Sequence, residues 1–170
     1  MSSKLFVGVD PGMNGGITFV TKDMDLEEAK AIRCPKTSHD MAIALQVGIS
    51  EFAPSDVIFF IEHVWSFPRD GRVSAFRFGY NYGLWKGIAS ANELTMYNVP
   101  PRTWMKHYEM PEGLQPRERK RWLKEYASKL FPNIKITFNT SDSVLIAKYA
   151  LDCFESGTMP ENEEGLGLIS

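Results

Sequence analysis

Three carboxylates stand where a folded chain can bring them together. Asp10 closes the apolar run Leu5-Phe6-Val7-Gly8-Val9, and Glu62 closes Val57-Ile58-Phe59-Phe60-Ile61. Asp142 sits in Asn139-Thr140-Ser141-Asp142, just ahead of an apolar helical stretch. An acid at the end of a buried strand is costly unless something pairs with it. Two such acids and a third at a helix start point to a shared divalent cation. Carboxylate oxygens are hard ligands suited to Mg2+, with Mn2+ as a substitute. Carboxylate clusters that hold two such ions about 4 Å apart can cut phosphodiesters, one ion activating water and the other stabilising the leaving oxygen. No Cys/His spacing suggests zinc.

Each acid also fits a plainer role. Asp10 precedes Pro11-Gly12 and suits a turn. Glu62 could pair with a nearby arginine. Asn139 is a good helix N-cap, which would put Asp142 in the first turn. The joint placement of the acids at the ends of core elements favours the metal reading.

The elements that must position them read as a mixed α/β layout. Leu5–Val9, Gly16–Val20 and Ala29–Cys34 form a three-stranded meander, with Pro11-Gly12 and Gly15-Gly16 turning the chain after Asp10. Thr37 or Ser38 caps a helix to about Phe52, with Met41, Leu45, Ile49 and Phe52 as its apolar stripe. The Glu62 strand follows. Val73 to Ala91 reads as a long helix, Leu94–Val99 as a fifth strand, and Arg102–Tyr108 as a short helix or turn. Pro116 opens a helix to about Phe131, with Trp122, Tyr126, Ala127 and Leu130 inward. Ile134–Phe138 reads as a short extended segment. A last helix runs from Ser141 to about Phe154, burying Val144, Leu145, Leu151 and Phe154. At 170 residues one domain is expected, over 1–155, with 156–170 as a loose tail.

A net charge of −2 argues against a generic basic nucleic-acid binder, but a local basic face can coexist with an acidic centre. Two regions supply one. The loop after Glu62 carries Trp65, Phe67, Arg69 and Arg72, a pairing of rings and guanidinium groups that suits unpaired or distorted nucleic acid. The plainer alternative tucks Trp65 and Phe67 under the loop. The helix after Pro116 carries Arg117, Arg119, Lys120, Arg121 and Lys124, the densest positive cluster in the chain. Such a run is often only a solvated face; here it is a candidate phosphate contact. Arg77 and Lys106 are counted with the candidate DNA contacts. Gly79, Gly83 and Gly87 fall four apart on one helix face. Each costs roughly 1 kcal/mol of helix propensity, so the stripe implies close backbone approach, to the sheet or to a second subunit. The two cysteines are far apart and fit a reducing compartment. No leader or membrane-spanning run is visible, so a cytosolic location, in a bacterium or a virus-infected cell, is expected.

Several motifs together carry a family resemblance. Val7-Gly8-Val9-Asp10-Pro11-Gly12, Ile61-Glu62-His63-Val64 and Ser141-Asp142-Ser143-Val144-Leu145-Ile146-Ala147 resemble RuvC-like Holliday junction resolvases. Gly71 to Gly79, Tyr82-Gly83 and Val99-Pro100-Pro101-Arg102-Thr103-Trp104 look like the phage-type branch. The resemblance spans about residues 4 to 155, with the motifs in the family's order. It implies an α/β, RNase H-like fold with a central mixed five-stranded sheet flanked by helices. It also implies a homodimer and Mg2+-dependent, symmetric nicking of four-way DNA junctions, with two ions per site. Asp10, Glu62 and Asp142 match the family's metal-binding acids. Trp65 falls where such resolvases carry an aromatic that stacks at the opened junction, and the glycine-striped helix corresponds to the dimer-forming region. Asn139 departs from the pattern, since the family places Asp or His there. An amide oxygen can touch a metal but brings no charge and cannot act as a base. Two alternatives stay open within the fold: an impaired or non-catalytic branched-DNA-binding protein, and a nuclease acting on another branched or hybrid substrate. Asp10-Pro11-Gly12 with Gly15-Gly16 is also similar to the phosphate loop of actin-like ATPases and sugar kinases, but those folds need two such domains.

Overall fold

A computed structural model describes residues 3–23, 26–63, 65 and 71–161. Five strands form one sheet: β1 (Leu5–Asp10), β2 (Gly16–Asp23), β3 (Leu26–Arg33), β4 (Val57–Glu62) and β5 (Thr95–Val99). Their order across the sheet is β3-β2-β1-β4-β5. The β1–β2 and β2–β3 pairs are antiparallel, whereas β1–β4 and β4–β5 are parallel. The expected mixed five-stranded sheet is therefore present.

Strand alternation divides the core into two layers. Leu5, Val7 and Val9 of β1, with Val57, Phe59 and Ile61 of β4, pack with Met41, Leu45 and Ile49 of α1 (Ser38–Ile49) and Trp85 and Ala89 of α2 (Arg72–Ala91). Phe6, Ile58 and Phe60 face the opposite layer, which contains Trp104 of α3 (Pro101–His107), Leu123 and Ala127 of α4 (Pro116–Leu130), and Val144 to Ala147 of α5 (Ser141–Ser156). Asp10 and Glu62 share the parity of Phe6 and Phe60, so both belong to the α5 side.

Glycine lets α5 lie against that side. A Cβ on Gly8 would fall 2.2 Å from the Ala147 nitrogen and 2.4 Å from the Ser143 carbonyl oxygen. The helix backbone therefore rests directly on β1. A buried hydrogen bond of 2.8 Å between Thr18 Oγ1 and Ser143 Oγ ties the same helix to β2.

Of the two cap candidates, Thr37 caps α1, its Oγ1 accepting from the Asp40 amide at 3.1 Å. Several other local expectations need correction. Ile134–Phe138 joins no strand. Its surroundings close on themselves, with the Thr140 and Ser141 amides donating to the Thr137 carbonyl at 3.2 and 3.0 Å. The α5 N-cap is Thr140, not Asn139. In α4 the fully buried anchors are Leu123 and Ala127, while Trp122, Tyr126 and Leu130 are only partly covered. Phe154 is 42% exposed on the last turn of α5 rather than buried, and β3 starts at Leu26 rather than Ala29. Along α2, a Cβ added to Gly79, Gly83 or Gly87 would meet nothing within 4 Å. The stripe does not approach the sheet. Among the described residues, no helix is long and apolar enough to cross a membrane.

Candidate active site

The parallel pairing of β1 and β4 sets the site. Val9 is opposite Ile61, so Asp10 and Glu62 leave adjacent strands at the same edge. This is the C-terminal edge of parallel strands, where open α/β sheets present ligands. The first turn of α5 brings Asp142 to the same place. All three acids line one cleft of about 1230 Å³.

Each acid is held differently. Asp10 Oδ1 accepts from the Gly12 amide at 3.0 Å, and Gly15 leaves room for the turn, since a Cβ there would fall 2.3 Å from the Asp10 carbonyl oxygen. Glu62 Oε1 accepts from the indole Nε1 of Trp104 at 3.2 Å. Asp142 Oδ1 accepts from Ser141 Oγ at 3.0 Å, and Lys120 Nζ donates to Asp142 Oδ2 at 2.6 Å. The plain-turn reading of Asp10 is thus partly right: it makes the turn and also faces the other acids. Among the described residues, Glu62 has Trp104, not an arginine, as its hydrogen-bond partner.

Crowding of the acids appears in their proton affinities. Burial above all, with the Asp142 charge next, pushes the Asp10 carboxyl up from 3.8 to about 6, although the Gly12 amide and Lys120 pull it down. Burial, then the charges of Asp10 and Asp142, pushes Glu62 up from 4.5 to about 8, against Trp104 and Lys120. Burial by itself would lower the Lys120 ammonium. The Asp142 charge and hydrogen bond, with Asp10 and Glu62 behind them, raise it instead.

The donor chemistry suits a hard cation: clustered carboxylates, Asp142 buried, Asp10 and Glu62 half-buried and destabilised as anions. As the side chains stand, no group of three or more His, Cys, Asp or Glu among the described residues is gathered closely enough to hold a metal ion.

Asn139 lines the same cleft, and the donor side of its amide is engaged. Nδ2 donates to the Asn14 carbonyl at 2.7 Å, and Arg33 Nη2 donates to Asn14 Oδ1 at 2.7 Å. The residue joins the turn after Asp10 to the segment that starts the Asp142 helix.

The candidate DNA contacts separate into groups. Arg77, Arg117, Lys120 and Arg121 line the acid cleft. Lys106, Arg119 and again Lys120 line a second cleft of about 820 Å³, which reaches Glu62 and Asp142 from the α3 side. Arg72 is exposed at the start of α2 but lines neither cleft. Trp65 is 56% exposed, and its ring stacks on His63 at 4.1 Å and 19°, so it is not tucked into a satellite core. Phe67 and Arg69 lie outside the described residues. Gly79, Gly83 and Gly87 line an open apolar groove on α2 that shares no lining residue with either cleft.

Sequence reasoning missed Trp104 as the partner of Glu62. Its position just after β5, next to β4, was the available signal. It also missed that Lys120 enters the acid cluster, and that exposed Met13, Phe78 and Phe138 border the cleft.

No protein-family model matches the chain, and no curated protein sequence matches it. Among solved structures the chain is similar to Thermus thermophilus RuvC, at 11% identity and a TM-score of 0.58, over 91% of this chain and 97% of that one. It is also similar to T. thermophilus RuvC in complex with Holliday junction substrate, at 12% identity and a TM-score of 0.57, over 91% and 97% of the two chains. At such identities the likeness is one of fold, and it establishes the expected RuvC-like, RNase H-like α/β architecture.

Proposed function

We propose that this chain is a structure-selective DNA endonuclease that resolves four-way junctions by metal-dependent phosphodiester hydrolysis. One observation carries the reading: Asp10, Glu62 and Asp142 converge on a single cleft that also presents Arg77, Arg117 and Arg121. The RuvC-like fold supports it, as does a neighbouring structure described as a complex with Holliday junction substrate. The motifs around Gly71–Gly79 and Val99–Trp104 favour a place in the phage-type branch.

Asp10, Glu62 and Asp142 would hold Mg2+, two ions per site. When bound, such ions activate water and stabilise the leaving oxygen of a phosphodiester. The protein's own groups do the rest. Trp104 holds Oε1 of Glu62 in place, and the Gly12 amide does the same for Oδ1 of Asp10. Arg77, Arg117 and Arg121 bind backbone phosphates along the cleft, and Lys106 and Arg119 extend that contact into the second one. Trp65, exposed and braced by His63, stacks on a base at the opened crossover. A second copy pairs through the glycine groove of α2, where Phe76 is 74% exposed and stacks with Tyr80. Such pairing would give two sites for two strands.

An amide at position 139, which lines the acid cleft but brings no charge and cannot act as a base, favours a second reading, a branched-DNA-binding protein with little or no cutting. One experiment separates the two. Labelled four-way junction and linear duplex of the same sequence are incubated with Mg2+ and either this chain or Asn139→Asp. The proposal expects junction-selective nicking by this chain. Cutting by Asn139→Asp alone marks an impaired nuclease, binding without cutting by either favours the second reading, and absence of junction binding overturns both.

A further inference from the structure

The acid cluster contains a cation of its own. Lys120 Nζ lies 2.6 Å from Asp142 Oδ2, and its charge also acts on Asp10 and Glu62. The two partners are held very differently: the Asp142 side chain is 8% exposed, while that of Lys120 is 44% exposed. Asp142 is fixed by its helix and by Ser141. Lys120 has a long flexible stem, and it borders both clefts, so its ammonium has open space to move into.

Both Asp142 oxygens are occupied, one by the Ser141 hydroxyl and one by Lys120. A hard cation placed on Oδ2 of Asp142 would lie beside the Lys120 ammonium, whose like charge opposes it. The absence of a ready-made three-ligand group among the described residues agrees with this arrangement. One positive charge among three acids favours only part of their ionisation, whereas a divalent ion brings more charge to the same place.

We infer that Lys120 is a displaceable counter-ion: it occupies Asp142 when no metal is bound and gives up that carboxylate when a divalent cation enters. This inference rests on the nuclease reading of the site and goes beyond it. Lys120 thereby restrains metal affinity. Once released, its ammonium stands beside the acid cluster, where it can meet a phosphate oxygen of the bound strand. The lysine is then a competitor of the metal before substrate binds and a phosphate contact afterwards.

The test is calorimetric titration of the whole protein with Mn2+, without DNA. Lys120→Met removes the charge at similar length, and Lys124→Met removes one a turn further along α4 as a control. Lys120→Met should bind Mn2+ roughly tenfold more tightly than the unaltered chain, as expected if one partly screened ion pair opposes binding. Lys124→Met should differ from the unaltered chain by about twofold or less. Thermal melts in EDTA should show Lys120→Met less stable, because the buried acids lose their counter-ion, and Mn2+ should restore more stability to it than to the unaltered chain. Equal or weaker Mn2+ binding by a folded Lys120→Met overturns the counter-ion role and leaves the nuclease reading standing. Equal tightening by both variants also overturns it, since the effect is then general charge. Mn2+ binding by Lys120→Met but not by the unaltered chain supports it. No Mn2+ binding by any of the proteins overturns both readings.

Discussion

Glu62 carries a carboxyl pushed up to about 8, and Asp10 one pushed up to about 6. The sign of the consequence follows from linkage. Both groups hold protons in the folded chain over a pH range in which the unfolded chain has released them. Folding stability must therefore fall as pH rises from about 4.5 towards 8, with the Asp10 share lost by about 6. Urea melts in EDTA at stepped pH should show that decline, and Glu62→Gln should flatten its upper part. Stability that rises over the window would contradict the burial of these acids. Trp104→Phe makes a second case at this scale. It removes the N–H donor that holds Glu62 Oε1 and pulls its proton affinity down. Cleavage should fall roughly 10- to 100-fold, as with lost supporting contacts to metal ligands, and the pH–rate profile should move to higher pH. An unchanged profile would leave Trp104 with a packing role only. The three acids were legible because each ends an apolar run or starts a helix. Lys120 was not singled out from Arg117, Arg119, Arg121 and Lys124, because only the docking of α4 on α5 decides which of them reaches Asp142.

Among the elements, α5 determines whether the site exists. It lies on β1 at Gly8, and a methyl group there would collide with helix backbone, which cannot rotate away. Gly8→Ala should destabilise the fold by about 3 kcal/mol or displace α5, at the upper end of overpacking costs. Chemical denaturation measures the first effect. Loss of Mn2+ binding in whatever remains folded reports the second. A neutral outcome would mean that α5 does not rest on β1 as described. The apolar runs of β1 and β4, each closed by an acid, were readable in the sequence, but not which face the acids take, because both faces of these strands are apolar and only the parallel register aligns them. Ile134–Phe138 pairs with no strand, and a short apolar run does not distinguish a sheet strand from a loop with one buried anchor, here Ile136. The glycine stripe was readable as a stripe but not as a direction. Its two readings differ only in which way the helix turns, and the packing of Trp85 and Ala89 settles that the glycines face outward.

On the scale of the whole molecule, the proposed dimer and the proposed chemistry can be tested separately. Because a Cβ added at Gly83 meets nothing within 4 Å among the described residues, Gly83→Arg should fold at least as well, gaining up to about 1 kcal/mol of helix propensity. Sedimentation should nonetheless show the dimer reduced to monomer, with paired nicks replaced by single ones. An unchanged mass would remove α2 from the interface. The overall architecture was legible from element order, while the pairing of copies rests on one open groove. The central claim is that the three converging acids cut branched DNA, and Asp10→Asn tests it most directly. The measurement is cleavage and gel-shift binding of a labelled four-way junction in Mg2+, for this chain and Asp10→Asn side by side. The account predicts junction nicking by this chain, its loss on the order of 100-fold or more in the variant, and nearly equal binding by both. Full cutting by a folded Asp10→Asn would contradict it.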